Sequence, residues 1–130
     1  MKFRLTKAAD GDIAALFRET YRLFGENQLK HYTEIVQRGI AMIAEEPFRA
    51  SSQRRDDLRA GVRSFHLQLA AGRHKGAAHV LYYSLDPSDG ETVVVLRVLA
   101  EEMEPKKRIA QSLRAGEGLA KKGDRTRERE

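Results

Sequence analysis

Hydrophobic positions fall at three- and four-residue spacing over the first third of the chain and at two-residue spacing from Val62 onward. The change of period separates a helical part from a sheet part. Ahead of both, Phe3 and Leu5 alternate with Arg4, the pattern of a short strand near an edge. Ile13, Leu16, Phe17, Thr20, Tyr21 and Phe24 then mark one face of an amphipathic helix, for which Asp10 or Asp12 is the expected cap. Gly25 stands where a left-handed C-terminal cap belongs, and Asn27 is placed to start a second helix almost at once. So short a turn predicts an antiparallel hairpin. The second helix carries Leu29, Tyr32, Val36, Ile40 and Ile43 as its stripe, widened by Ile35 and Met42, and ends before Pro47. Gly39, beside that stripe, predicts a close helix contact.

A polar connector with charges of alternating sign, PFRASSQRRDDLRAG, reads as a surface loop with Leu58 as its anchor and Arg54, Arg55 and Arg59 as a basic edge. Beyond it Phe65, Leu67 and Leu69 alternate with Ser64, His66 and Gln68, which predicts a strand with one buried face. GRHKGAA is a basic turn, His79 to Leu85 a second strand, and Asp86 to Gly90 a tight turn. Val93 to Leu96 is an unbroken apolar run, the mark of a central strand covered on both faces. Arg97 interrupts it, and the cost of burying an unpaired charge sends Arg97 to the open face of the sheet or to an acidic partner. Pro105 suits the first turn of a short helix through Ile109 and Leu113. The order predicts an α+β sandwich: N-terminal strand, antiparallel helix hairpin over one sheet face, three-stranded antiparallel meander, short C-terminal helix.

A length of 130 residues with 41% hydrophobic residues fits one small domain, residues 1–113, followed by a charged, glycine-bearing tail, 114–130, expected to be disordered. With no cysteine, disulfides and thiolate metal sites are excluded, and a reducing compartment, the cytoplasm, is expected. The first ten residues lack the apolar segment of a secretory signal, and no window approaches a membrane span. A net charge of +5 and a pI near 9.7 favour an acidic partner, nucleic acid or protein.

Candidate chemistry is sparse. No nucleophile elbow, phosphate-cradling glycine loop or H-E-x-x-H helix occurs. His31, His66, His74 and His79 lack paired ligand spacing, so neither a metal nor another cofactor is expected. Tyr82 and Tyr83 point to opposite faces of their strand, which places at least one in the core. Arg63, His79 and Arg97 share the open face if the strands pair in suitable register.

Read in order, Phe24-Gly25, Gln28, Tyr32, Pro47, DDLRAGVRSFHL, HVLYYSL and LRVLAEEMEP resemble the ParE branch of the RelE/ParE toxins of type II toxin-antitoxin modules, from about Phe3 to Leu113. The resemblance implies the sandwich above, toxicity through DNA gyrase, neutralisation by a ParD-like antitoxin in a hetero-oligomer, contact with DNA only through that antitoxin, and a role in plasmid stabilisation. The related RelE branch cleaves messenger RNA on the ribosome with basic residues across the sheet, an arginine after the last strand and a nearby tyrosine. Here the matching stretch is LAEEMEPKKR, with Glu101 near the arginine position and no tyrosine after Tyr83. A negative charge there would repel the scissile phosphate. The expectation is a non-enzymatic toxin with no catalytic residues, the alternatives being a RelE-like ribonuclease using Arg63, His79 and Arg97, or a non-toxic basic binding module. Expected target contacts are Arg63, His79, Tyr82 and Arg97 on the sheet and Glu101, Met103 and Lys107 beyond it. Arg54, Arg55 and Arg59 are expected to pair with antitoxin acids. Many relatives carry a histidine where Ala100 stands.

Overall fold

The computed structural model describes residues 2–73, 76–114 and 125–128. Its elements run β1 (Lys2–Leu5), α1 (Lys7–Phe24), α2 (Glu26–Glu45), β2 (Gln53–Arg54), β3 (Arg63–His66), β4 (His79–Leu85), β5 (Val93–Ala100), α3 (Pro105–Arg114) and β6 (Arg125–Glu128). The sheet order is β2-β3-β4-β5-β1-β6. Strands β3, β4 and β5 form the expected antiparallel meander, while β1 lies parallel to β5 with Phe3 opposite Val93 and Leu5 opposite Val95. The α+β sandwich read from the sequence is the fold observed. β5 is its central strand, with Val93 through Leu96 fully buried.

The reason lies in what each face must cover. On one side the hairpin lays Tyr32, Ile35, Val36, Ile40 and Ile43 against Phe3, Phe65, Leu81, Tyr83, Val93 and Val95. On the other, a smaller cluster of Val62, Tyr82, Val94, Leu96 and Leu99 is closed by Ile109 of α3 and by Leu58. The second face is therefore covered, and Arg63, His79 and Arg97 do not share an open face. Both tyrosines of β4 are core residues, on opposite sides, with an irregularity in the β4–β5 pairing between them.

Several local expectations change. Helix α1 starts four residues before Gly11, at Lys7, and Thr6 is its cap: the Thr6 hydroxyl accepts from Ala9 N–H at 3.0 Å and donates to the Leu96 carbonyl at 2.9 Å. A single residue joins β1 to α1, so a cap at Asp10 or Asp12 would leave helical backbone unpaired ahead of it. Gly25 does take a positive φ, 85°, though its ψ of −173° is not that of the expected left-handed cap, and it donates to the Tyr21 carbonyl at 2.9 Å. The close approach at Gly39 is to the 3-10 turn at Leu67–Ala70, because a Cβ there would meet Leu67 Cδ2 at 2.5 Å. That turn ends β3 at His66 and leaves Leu69 exposed where strand alternation predicted burial. The connector is mostly surface, yet it contributes β2 to the sheet edge. The apolar stripe of α1 runs off the core at its end, with Tyr21 and Phe24 exposed. Of the tail expected to be disordered, residues 115–124 and 129–130 lie outside the described residues, as do His74 and Lys75 of the basic turn; residues 125–128 run antiparallel to β1.

Candidate functional site

A groove of about 550 Å³ lies between the second half of α1, the start of α2, and the end of β5 with the residues that follow it. Its floor is set by a charge pair that joins the layers. Asp12, one turn and more into α1, accepts from Arg97 Nε at 2.7 Å and Nη2 at 2.8 Å, and from Val98 N–H at 3.0 Å. Arg97 also donates to the Arg108 carbonyl on α3 at 3.2 Å, so one guanidinium ties α1, β5 and α3 together. The adjacent carboxylate holds Arg97 even more firmly protonated than usual. Sequence reasoning asks for an acidic partner for Arg97, and the fold supplies a residue that the helical pattern had suggested for capping.

Beside this pair, the Tyr32 hydroxyl shares a 3.0 Å hydrogen bond with Nδ1 of His79, and the two rings meet edge to face. Burial lowers the His79 pKa, only partly opposed by Glu102, Asp12 and Glu101, and burial likewise raises that of Tyr32. A neutral imidazole at neutral pH follows. His79 pairs across the sheet with Ala100, at the end of β5. The rim is apolar and wet: Leu23 is 54% exposed, Phe24 68% and Met103 40%.

The other expected residues are dispersed. Glu101 turns to His66, whose Nε2 lies 2.7 Å from the carboxylate while Nδ1 accepts from Gln68 N–H at 3.1 Å. With Nδ1 accepting, Nε2 carries the proton and donates to Glu101. Lys107 is exposed in the first turn of α3, where its N–H and that of Lys106 are capped by the Glu104 carboxylate. Tyr82 lies on the second sheet face, with the Arg55 guanidinium 5.9 Å from its ring centre. Arg63 points to the loop ahead of β2, donating to the Ser52 hydroxyl at 2.9 Å. Arg54 and Arg55 pair locally with Asp56 and Asp57, while Arg59 is exposed with no ion pair among the described residues. Thus His79, Arg97 and Met103 meet in one groove, and Arg63, Tyr82, Arg54, Arg55 and Arg59 do not line it.

Periodicity alone leaves Leu23 unmarked and assigns Phe24 to the core. A signal was available for Phe24, since an apolar residue directly before a C-terminal glycine cap lies on the last, least covered turn. No local signal marks Asp12, which meets its partner 85 residues away. No group of three potential metal-ligating side chains occurs among the described residues. No described helix is long and apolar enough to cross a membrane.

Residues 3–105 match the family model of the ParE toxin of type II toxin-antitoxin system, parDE. The chain belongs to this family, and its class is that of a toxin of a type II toxin-antitoxin module. No curated protein matches it.

Proposed function

We propose that this toxin acts in the cytoplasm by binding DNA gyrase and stalling it on cleaved DNA, and that a ParD-like antitoxin neutralises it by forming a hetero-oligomer. The observation that carries the non-nucleolytic reading is the surface after β5. There Glu101 holds His66 at 2.7 Å, and Glu102 and Glu104 add further negative charge, where cleavage of a phosphodiester needs cations. The groups a ribonuclease would bring together are also held apart: Arg97 stands on Asp12 and His79 on Tyr32 at the groove, while Arg63 stands on Ser52 outside it. Glu101, Met103 and Lys107 are the part of the expected target surface that stays accessible around the start of α3.

The groove is the seat for the antitoxin. An amphipathic helix entering it covers Leu23, Phe24 and Met103, the apolar groups that the toxin alone leaves in water. Arg54, Arg55 and Arg59 lie off this seat and are not needed for it. The deciding experiment is a supercoiling assay with purified toxin. Inhibition with accumulation of broken DNA, relieved by antitoxin, is expected; unaltered supercoiling together with cleavage of translated messages would establish a ribonuclease instead. Phe24→Glu is expected to weaken antitoxin binding by roughly thirtyfold, the cost of losing a central apolar anchor.

A further inference from the structure

The second notable surface lies at the far edge of the sheet, around an aromatic ring that the core does not use. Phe48 is 68% exposed and forms a wall shared by two concavities of about 420 and 310 Å³. Arg54 and Arg63 line one of them and Arg59 the other. The loop that carries the ring is held on both sides. Tyr83 donates its hydroxyl to the Pro47 carbonyl at 2.6 Å, Arg49 donates to the Met42 carbonyl at 2.9 Å, and the Ser52 hydroxyl donates to the Arg49 carbonyl at 3.0 Å. Arg63, bonded to that same serine, sets its guanidinium 5.5 Å from the centre of the Phe48 ring.

The charge around the ring is one-sided. From Pro47 to Arg63 five arginines face two aspartates. The aspartates are engaged with Arg54 and Arg55 in solvent-exposed pairs between residues two apart, which water and salt exchange at little cost. A rigid, exposed aromatic face with cations on both sides is the equipment of a stacking platform: the ring takes the face of an unpaired base and the arginines take its flanking phosphates. An acidic peptide would answer the arginines and leave the ring in water.

We propose that this edge binds single-stranded polynucleotide directly, with one base on Phe48 and phosphates on Arg54, Arg59 and Arg63. The site shares no lining residue with the groove, and the inference stands apart from the identity of the toxin's target. It assigns the toxin a nucleic-acid contact of its own, where the family resemblance implied contact with DNA only through the antitoxin.

The test is fluorescence anisotropy of the full chain with short labelled oligo(dT) and oligo(U), against a hairpin duplex and an oligo-glutamate competitor. Binding of a single strand in preference to the duplex is expected. Phe48→Ala should weaken it roughly 5- to 100-fold through loss of stacking. Arg59→Gln, an exposed change that spares the core, should flatten the logarithmic salt dependence by about 0.7, the share of a single neutralised phosphate. Arg18→Gln, which removes the same charge from the opposite layer, should alter neither. A matched oligo(dU), which differs from oligo(U) only in lacking the 2′-hydroxyl, assigns the sugar. Full affinity in Phe48→Ala, equal losses in Arg18→Gln and Arg59→Gln, or tighter binding of oligo-glutamate at these residues would each overturn the proposal.

Discussion

The groove and the arginine edge both present charges beside exposed aromatic rings, but they hold those charges differently. Asp12 and Arg97 in the groove are 85 residues apart, each side chain is 15% exposed, and the carboxylate also accepts a strand N–H. At the edge Arg54 and Asp56 are neighbours in the chain with side chains 77% and 44% exposed. The first pair exists only when three elements are docked, so it belongs to the architecture. The second forms in any chain conformation that brings residues two apart together, contributes little to folding, and is free to change partners. Burial and sequence separation, more than the count of charges, tell structural pairs from binding equipment.

That contrast is sharpest under mutation of the groove floor. Asp12→Ala should destabilise the fold by about 3 to 5 kcal/mol in urea titrations, since it strands a mostly buried guanidinium. Asp12→Leu combined with Arg97→Met should recover most of the loss. A cost below about 1 kcal/mol for Asp12→Ala would place this pair with the exposed ones.

Tyr32→Phe should cost about 1 kcal/mol, the usual net value of one hydrogen bond. Next comes a dependence on pH. The folded His79 pKa lies below its ordinary 6.5 because burial disfavours the imidazolium, so the unfolded chain binds the extra proton first. Stability is then fully present above pH about 6.5 and declines as pH falls toward the folded value. Thermal melts between pH 7 and 5 should show this slope, and His79→Gln should flatten it. Asp89, held down to about 2 by hydrogen bonds from Thr92 and Glu91, produces a separate loss below its ordinary 3.8 that His79→Gln leaves intact. The smallest effect is expected at the edge: Arg54→Gln should change stability by no more than about 0.5 kcal/mol.

The legible parts of this molecule are those governed by near neighbours. The helix hairpin announces itself in the spacing of Tyr32, Val36, Ile40 and Ile43 and in the glycine that ends α1, and all four stripe residues are buried as that pattern requires. The extent of β3 is not legible in the same way, because Leu67 and Leu69 keep two-residue spacing through a 3-10 turn. Only the docking of Leu67 under Gly39 shows that the chain has left the strand. The site is legible in fragments: Arg97 demands a partner and receives one, and Tyr82 pairs with it across the sheet but packs into the second-face cluster, while Arg63 lies opposite Tyr83 and donates to Ser52.

Composition and periodicity by themselves determined the class of fold and the central place of Val93–Leu96, because each depends on burying apolar residues at fixed spacing. The parallel docking of β1 on β5, the partner of Arg97, the exposed end of α1 and the stranded ring of Phe48 were decided only in three dimensions. Each of these depends on which surfaces are left over once the layers have packed, and residues tens of positions apart carry no local mark of whether they will meet.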